Sequence, residues 1–183
     1  SDDGKLIWKK QIFNDLENTI IGTPAISGIK NKNNTITVYA HNGSNALLAI
    51  DGVDGTIIWQ KKYNFPFRGG ITSYKNYLFA SDFDGNFLSI NSKNGKVLWN
   101  VFLGSEYNSV YTTARPLVVK NKIIVPSTGG TFFVISINTG EVLWSENISS
   151  NQQLPILFHT GDIVANPIYY KGKLYVVSQS GFT

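Results

Sequence analysis

The amino-acid sequence predicts an all-β fold, a β-propeller made of four-stranded antiparallel blades. The first observation is a six-residue phrase, with Gly second and Trp sixth, that occurs four times in 183 residues. The second is that short apolar runs precede the later copies, and the third is that no helical period is sustained outside an ambiguous stretch near 13–20. The copies are DGKLIW (3–8), DGTIIW (54–59), NGKVLW (94–99) and TGEVLW (139–144). Four strands repeated at this spacing are typical of a propeller blade.

Each blade is predicted from three strand-like runs followed by the strand that ends in the Gly-Trp phrase. In the middle blade these runs are GGITSY (69–74), NYLFAS (76–81) and NFLSIN (86–91), separated by turn residues. The chain is thus predicted to be one partial propeller domain over 1–183. Its parts are the outer strand of a preceding blade (3–12), three blades (19–63, 67–103 and 110–148) and the first two strands of a further blade (163–183).

The recurring phrase also predicts how neighbouring blades join. Its glycines are expected to form the tight turn between the third and fourth strands, with a positive φ. Its tryptophans are expected to pack in the gap between neighbouring blades, where a large ring buries ~150–250 Å². These repeat residues are Gly55, Gly95, Gly140, Trp8, Trp59, Trp99 and Trp144, with Asp51 expected to bond nearby backbone groups.

One stretch carries a family resemblance. AIDGVDGTIIW (49–59) places Ala, Asp, Gly and Trp at the spacing of the PQQ-like propeller repeat, and the similarity covers most of the chain. The later copies depart from it at the Ala and Asp positions, which are occupied by Ser89, Asn91, Val134 and Ser136. Propellers of that family have seven or eight blades. The resemblance therefore implies that this chain is a partial ring of about four blades.

Composition limits the possible functions. The chain is 42% hydrophobic and 15% charged, which excludes a disordered protein, and it has no cysteine for disulfides or thiol chemistry. No apolar run approaches the ~20 residues that cross a bilayer. The net charge of +4 is carried by 14 Lys and 2 Arg, and the lysines are scattered over turns and strand ends. This scatter predicts solvated loop tips and not a nucleic-acid groove. Examples are Lys9, Lys10, Lys61, Lys62, Lys120, Lys122, Lys171 and Lys173.

No catalytic residue, metal ligand or cofactor is predicted. A quinoprotein dehydrogenase of the resembled family would show a Ca²⁺ site of Glu, Asn and Asp, a catalytic Asp and two adjacent Cys. This chain has no Cys, and its acids fall mostly in turns. DFDGN (82–86) lacks the later Glu of a calcium loop and is expected to be a hairpin turn. His41 and His159 have no partner at ligand spacing.

A closer similarity is to the BamB-like scaffold lipoproteins of the outer-membrane β-barrel assembly machinery. It is carried by RGGI (68–71), the stretch 127–149 and GDIVANPI (161–168) followed by KGKLYVVSQSG (171–181). The resemblance implies a non-enzymatic scaffold on the periplasmic side of the outer membrane that binds the barrel-forming subunit. It also implies that membrane association comes only from a lipid anchor outside this chain.

By the same resemblance, the barrel-forming subunit is expected to dock on two loops. These are NSVYTTARP (108–116) and TGDIV (160–164). The predicted partner-binding residues are Asn108, Val110, Tyr111, Asp162 and Val164. Two of them have a structural alternative: Tyr111 fills a blade groove, and Asp162 accepts hydrogen bonds from backbone N–H groups at a turn or strand start.

Three further possibilities are kept. The outermost strands could pair with extended outer-membrane client segments, although edge lysines such as Lys61 and Lys62 oppose strand addition. A quinoprotein-type enzyme is the first alternative function. An extracytoplasmic ligand-sensing propeller is the second.

Overall fold

A computed structural model describes residues 4–11, 25–30, 35–104, 114–148, 162–163 and 165–178. Over these residues the secondary structure is fourteen β-strands and one 3-10 turn at Thr128–Gly130. Within the same ranges, no helix is long and apolar enough to cross a membrane. The fold is all-β, as the sequence predicts.

The strands form three four-stranded antiparallel sheets and one hairpin, each running in chain order. The first blade contains β1 (Ala25–Lys30), β2 (Ile36–His41), β3 (Ala46–Asp51) and β4 (Ile57–Lys62). The second contains β5 (Phe67–Tyr74), β6 (Tyr77–Asp82), β7 (Asn86–Asn91) and β8 (Val97–Phe102). The third contains β9 (Leu117–Val119), β10 (Lys122–Pro126), β11 (Thr131–Ser136) and β12 (Val142–Asn147). The C-terminal hairpin is β13 (Ile168–Tyr170) with β14 (Lys173–Tyr175).

The hydrophobic core lies between successive blades. The central strands β3 and β7 are buried on both faces, so nearly every residue of ALLAI (46–50) and FLSI (87–90) is buried. One cluster joins the first and second blades through Leu47, Leu78 and Leu88, and another joins the second and third through Phe79 and Ile123. Strands that pack on both faces explain why these runs are continuously apolar.

A bulge recurs in the outer strand of each blade. The register between the third and fourth strands shifts beside Ala49, Ser89 and Val134, so that one extra residue is accommodated in the outer strand. The residue opposite each of these positions is the repeat tryptophan: Trp59, Trp99 and Trp144. A bulge increases local twist. The bulge therefore places the repeat tryptophan at the same position of the outer strand in every blade.

Residues 4–11, part of the predicted outer strand 3–12, are assigned to no strand in this structure. Trp8 nevertheless packs against the first blade, beside Val38 and Ile57 and over the buried Leu48. At Trp8, the first segment is thus placed against the first blade as a neighbouring blade would be. Its role as the outer strand of a preceding blade stays a prediction, as do the predicted blade limits.

Candidate partner-binding site

Tryptophan hydrogen bonds hold the blades in a repeated relation. Trp8 donates its indole N–H to the Gly52 carbonyl, Trp59 donates to Ser92, and Trp99 donates to Ile137. All three bonds measure 2.9 Å and end on the turn between the third and fourth strands of the following blade. Because the same joint recurs, equivalent loops of successive blades face the same way.

The acidic position of the repeat serves the local turn. The Asp51 carboxylate accepts a hydrogen bond from the Val53 N–H at 2.7 Å, and the Asn91 side chain accepts one from the Lys93 N–H at 2.9 Å. Asn therefore replaces Asp at this position without loss of the turn contact.

The five predicted partner-binding residues divide into two groups. Asn108, Val110, Tyr111 and Val164 lie outside the residues that the structure describes. Asp162 is described and only 5% exposed. Its Oδ1 accepts a hydrogen bond from the Gly129 N–H at 2.8 Å, which links the start of the last segment to the third blade. This contact is the one the structural alternative expected, and a partner-binding role for Asp162 stays a prediction.

The described end of the first candidate loop contacts the segment that follows the second. The Arg115 N–H donates to Oδ1 of Asn166 at 2.8 Å, joining residues 114–116 to the segment that follows Asp162. A Cβ built on Gly70 would lie 2.8 Å from the Arg115 Cα, so only glycine permits this approach. The Thr72 hydroxyl also donates to the Pro116 carbonyl. Residues 115–116 are therefore held between the second blade and the segment that contains Asn166.

Arg115 is a residue that the sequence analysis missed. Its side chain is exposed, and Nη2 donates to the Ile26 carbonyl of the first blade at 2.9 Å. The bond reaches from the start of the third blade to the innermost strand of the first. Both Arg of the chain lie at the start of a blade, Arg68 in β5 and Arg115 just before β9, and this recurrence was the available signal.

His41 is a buried titratable residue whose contacts hold backbone groups of the fold. Burial lowers the pKa of His41 to about 4, so the ring is neutral near pH 7. Its Nδ1 accepts from the Gly43 N–H at 3.1 Å, which leaves Nε2 as the donor to the Gly69 carbonyl at 3.1 Å. Both ring nitrogens are therefore occupied by backbone groups.

The DFDGN stretch is the hairpin turn that its sequence predicts. Asp82 accepts hydrogen bonds from the Asp84 N–H and from both the backbone and the side chain of Asn86, and burial raises the pKa of its carboxyl. Across the described part of the chain, no group of three His, Cys, Asp or Glu side chains could hold a metal ion.

Comparison with known proteins decides the family. The family model described as outer membrane protein assembly factor BamB matches residues 1–183. The chain belongs to the BamB family. The PQQ-like repeat that the sequence resembles is confirmed by this match.

Individual relatives include BamB proteins and quinoproteins. BamB of Shewanella oneidensis is 26% identical over 157 residues, covering 79% of this chain and 37% of that protein. The crystal structure of BamB from Moraxella catarrhalis has a TM-score of 0.74 at 18% identity, covering 92% of this chain and 50% of that one, which confirms the propeller fold. Quinoprotein alcohol dehydrogenase PedH of Pseudomonas putida is 25% identical over 122 residues, covering 58% of this chain and 20% of that protein. The chain thus spans half or less of the length of each of these relatives.

Proposed function

We propose that this chain is part of a non-catalytic scaffold on the periplasmic side of the outer membrane. It binds the barrel-forming subunit of the assembly machinery and assists the assembly and insertion of outer-membrane β-barrel proteins. The observation that carries the proposal is the BamB family match over all 183 residues. The scaffold is held at the outer membrane by a lipid anchor outside this chain.

The geometry of the two loops supports the proposal. Partner-binding residues commonly lie on loops that a rigid scaffold positions, and the hydrogen bond between Arg115 and Asn166 joins the end of the first candidate loop to the segment after the second. Tyr111 and Val110 are the proposed aromatic and aliphatic anchors, and Asn108 and Val164 are further proposed contact residues.

The first test is calorimetric titration of the chain with the periplasmic domains of the barrel-forming subunit. Tyr111→Ala should weaken binding by about tenfold or more, the effect of removing an aromatic anchor. Tyr170→Ala is the matched control, because Tyr170 is 58% exposed on the C-terminal hairpin, outside the two loops. Equal weakening by both changes, or no complex at high concentration, would contradict the proposal.

Asp162 needs a different comparison because its carboxylate is buried. Asp162→Asn keeps a side-chain oxygen that can accept from Gly129, whereas Asp162→Ala does not. If Asp162 acts by positioning the loop, the Asn variant should bind the subunit better than the Ala variant. If its charge contacts the partner, both variants should lose binding while the Asn variant keeps its unfolding free energy.

Extended client segments are a second proposed partner. The outer strand β8 has no charged residue and exposes Leu98 (47%) and Phe102 (63%), whereas β4 ends in Lys61 and Lys62. Strand addition is therefore proposed at β8. Phe102→Lys should reduce the anisotropy change of a labelled outer-membrane β-strand peptide, whereas Ile58→Lys on β4 should not.

A quinoprotein-type enzyme is the alternative function, favoured by the similarity to PedH. It predicts that pyrroloquinoline quinone with Ca²⁺ or a lanthanide binds the chain and supports alcohol-dependent dye reduction. Quinone binding at micromolar concentration would favour the enzyme. Its absence, together with a complex in the titration above, would favour the scaffold.

A further inference from the structure

Lysines occupy strained positions at the turns between the first and second strands. Lys75 follows β5, Lys120 follows β9 and Lys171 follows β13, with φ values of 52°, 55° and 47°. No other non-glycine residue with a positive φ occurs among the described residues. Glycine and asparagine adopt this conformation at lower cost. The presence of lysine at all three positions therefore suggests that the positive charge has a function.

The turns that carry these lysines lie on one face of the propeller. Within each blade, the turn between the third and fourth strands donates a backbone hydrogen bond to the first residue of the second strand or to the residue just before it. The bonds are Gly52 N–H to the Ile36 carbonyl (2.7 Å), Ser92 to Asn76 (2.9 Å) and Ile137 to Asn121 (3.2 Å). Because the tryptophan joints repeat from blade to blade, both sets of turns share this face.

This face, here called the lysine face, carries most of the net positive charge of the described residues. Its turns and strand ends present eight exposed lysines against three acids, a net charge of +5. The described residues together hold 13 Lys, 2 Arg and 7 acids, a net charge of +8. The lysines are Lys30, Lys75, Lys93, Lys96, Lys120, Lys122, Lys171 and Lys173, and the acids are Asp51, Asp54 and Glu141. The lysines that look scattered in the sequence are thus gathered by the fold.

Tyrosines accompany two of the turn lysines. The Lys75 Nζ lies 5.0 Å from the ring centroid of Tyr74, and the Lys171 Nζ lies 5.2 Å from that of Tyr170. These distances are within the range of cation–π attraction. Tyrosine is also suited to a membrane–water boundary, because its ring is apolar and its hydroxyl is polar.

We propose that the lysine face binds an anionic phospholipid surface. Its charges are spread over turns on one face and do not line a groove, and a spread of point charges suits a plane of headgroups. Neither Arg68, which is buried, nor Arg115, at the opposite end of β9 from Lys120, belongs to this face. The proposal goes beyond the scaffold function and adds a membrane contact within this chain to the expected lipid anchor.

The orientation that follows is compatible with partner binding. Residues 114–116 precede β9, and Lys120 follows it, so the strand separates the candidate loop from the lysine face. With the lysine face on the membrane, residues 114–116 lie at the end of the third blade that faces away from the lipid.

The test is co-sedimentation of the chain with vesicles of phosphatidylcholine, with or without phosphatidylglycerol. The wild-type chain should bind only the anionic vesicles, and less tightly as salt rises. The triple change Lys75→Asn, Lys120→Asn and Lys171→Asn should lower partitioning about fivefold per lysine, or roughly 100-fold. Its resistance to urea should not fall, because asparagine tolerates positive φ.

A matched control removes the same charge elsewhere. Lys9→Asn with Lys62→Asn neutralises two exposed lysines outside these turns and should leave most of the vesicle binding intact. The double change Lys75→Asn and Lys171→Asn should lower it roughly 25-fold. Equal loss in the two double variants, or equal binding to neutral vesicles, would overturn the proposal. Because the vesicles contain no protein, the result is independent of the proposed scaffold function.

Discussion

The indole ring of Trp99 lies directly over the turn glycine Gly140 of the following blade. A Cβ built on Gly140 would come within 2.8 Å of Cδ2 and Cε3 of that ring. The same relation joins Trp8 to Gly55 and Trp59 to Gly95, at 2.9 and 3.0 Å. The recurring phrase therefore encodes both halves of one joint: its Gly receives the ring of the blade before, and its Trp reaches the blade after.

Gly140→Ala should destabilise the fold by about 2–4 kcal/mol. Part of the loss comes from φ +75, which costs a non-glycine residue about 1–2 kcal/mol, and the rest from the clash with Trp99. Gly4→Ala is the matched control, because Gly4 has φ +73 but no described atom within 4 Å of a new Cβ. Urea unfolding of both variants measures the difference, and equal losses would contradict the proposed joint.

Trp99→Phe should cost about 1–3 kcal/mol of unfolding free energy. The change removes the N–H that donates to the Ile137 carbonyl and leaves that buried group without its indole donor. Trp144→Phe should cost much less, because Trp144 is 47% exposed. Denaturation of the two variants under the same conditions provides the comparison. A larger loss at Trp144 would show that this ring is covered in solution.

Ser89→Ala should stabilise the protein by about 0.5–1.5 kcal/mol. Ser89 is fully buried, and its Oγ has no hydrogen-bond partner among the residues that the structure describes. The equivalent positions of the other blades hold Ala49 and Val134, so an apolar residue fits the site.

The control for that change is Ser92→Ala in the same blade. Ser92 is also buried, but its side chain hydrogen-bonds Tyr39, so its removal should lower stability. Thermal unfolding distinguishes the two expected signs. Destabilisation by Ser89→Ala would indicate that the hydroxyl has a partner in solution, such as a bound water.

The propeller could be predicted from the sequence because its signals are local. Gly95 and Trp99 lie in one six-residue phrase, so the turn and the outer strand recur visibly along the chain. The hydrogen bond from the Arg115 backbone N–H to Asn166 could not be predicted, because the two residues are 51 positions apart and an Asn side chain can accept from many backbone groups.

The clustering of lysines on one face could not be predicted for the same reason. Lys75 and Lys171 are 96 positions apart in the sequence, and only the stacking of blades places their turns on one face. Asp162 shows a further limit: its sequence context predicts an acid at a blade start, but only the contact with Gly129 shows which group it serves.

Stability should fall as the pH drops through the range set by His41. Its folded-state pKa of about 4 lies below the ordinary value of 6.5, so the unfolded chain takes up the proton first. The neutral ring's contribution is complete above pH 6.5 and is lost progressively towards about pH 4, a total of about 3 kcal/mol. Urea unfolding across this range measures the slope. His41→Gln, which keeps a donor and an acceptor but does not titrate, should be less stable near pH 7 and show a flatter profile. A wild-type slope in that variant would assign the pH dependence to another group.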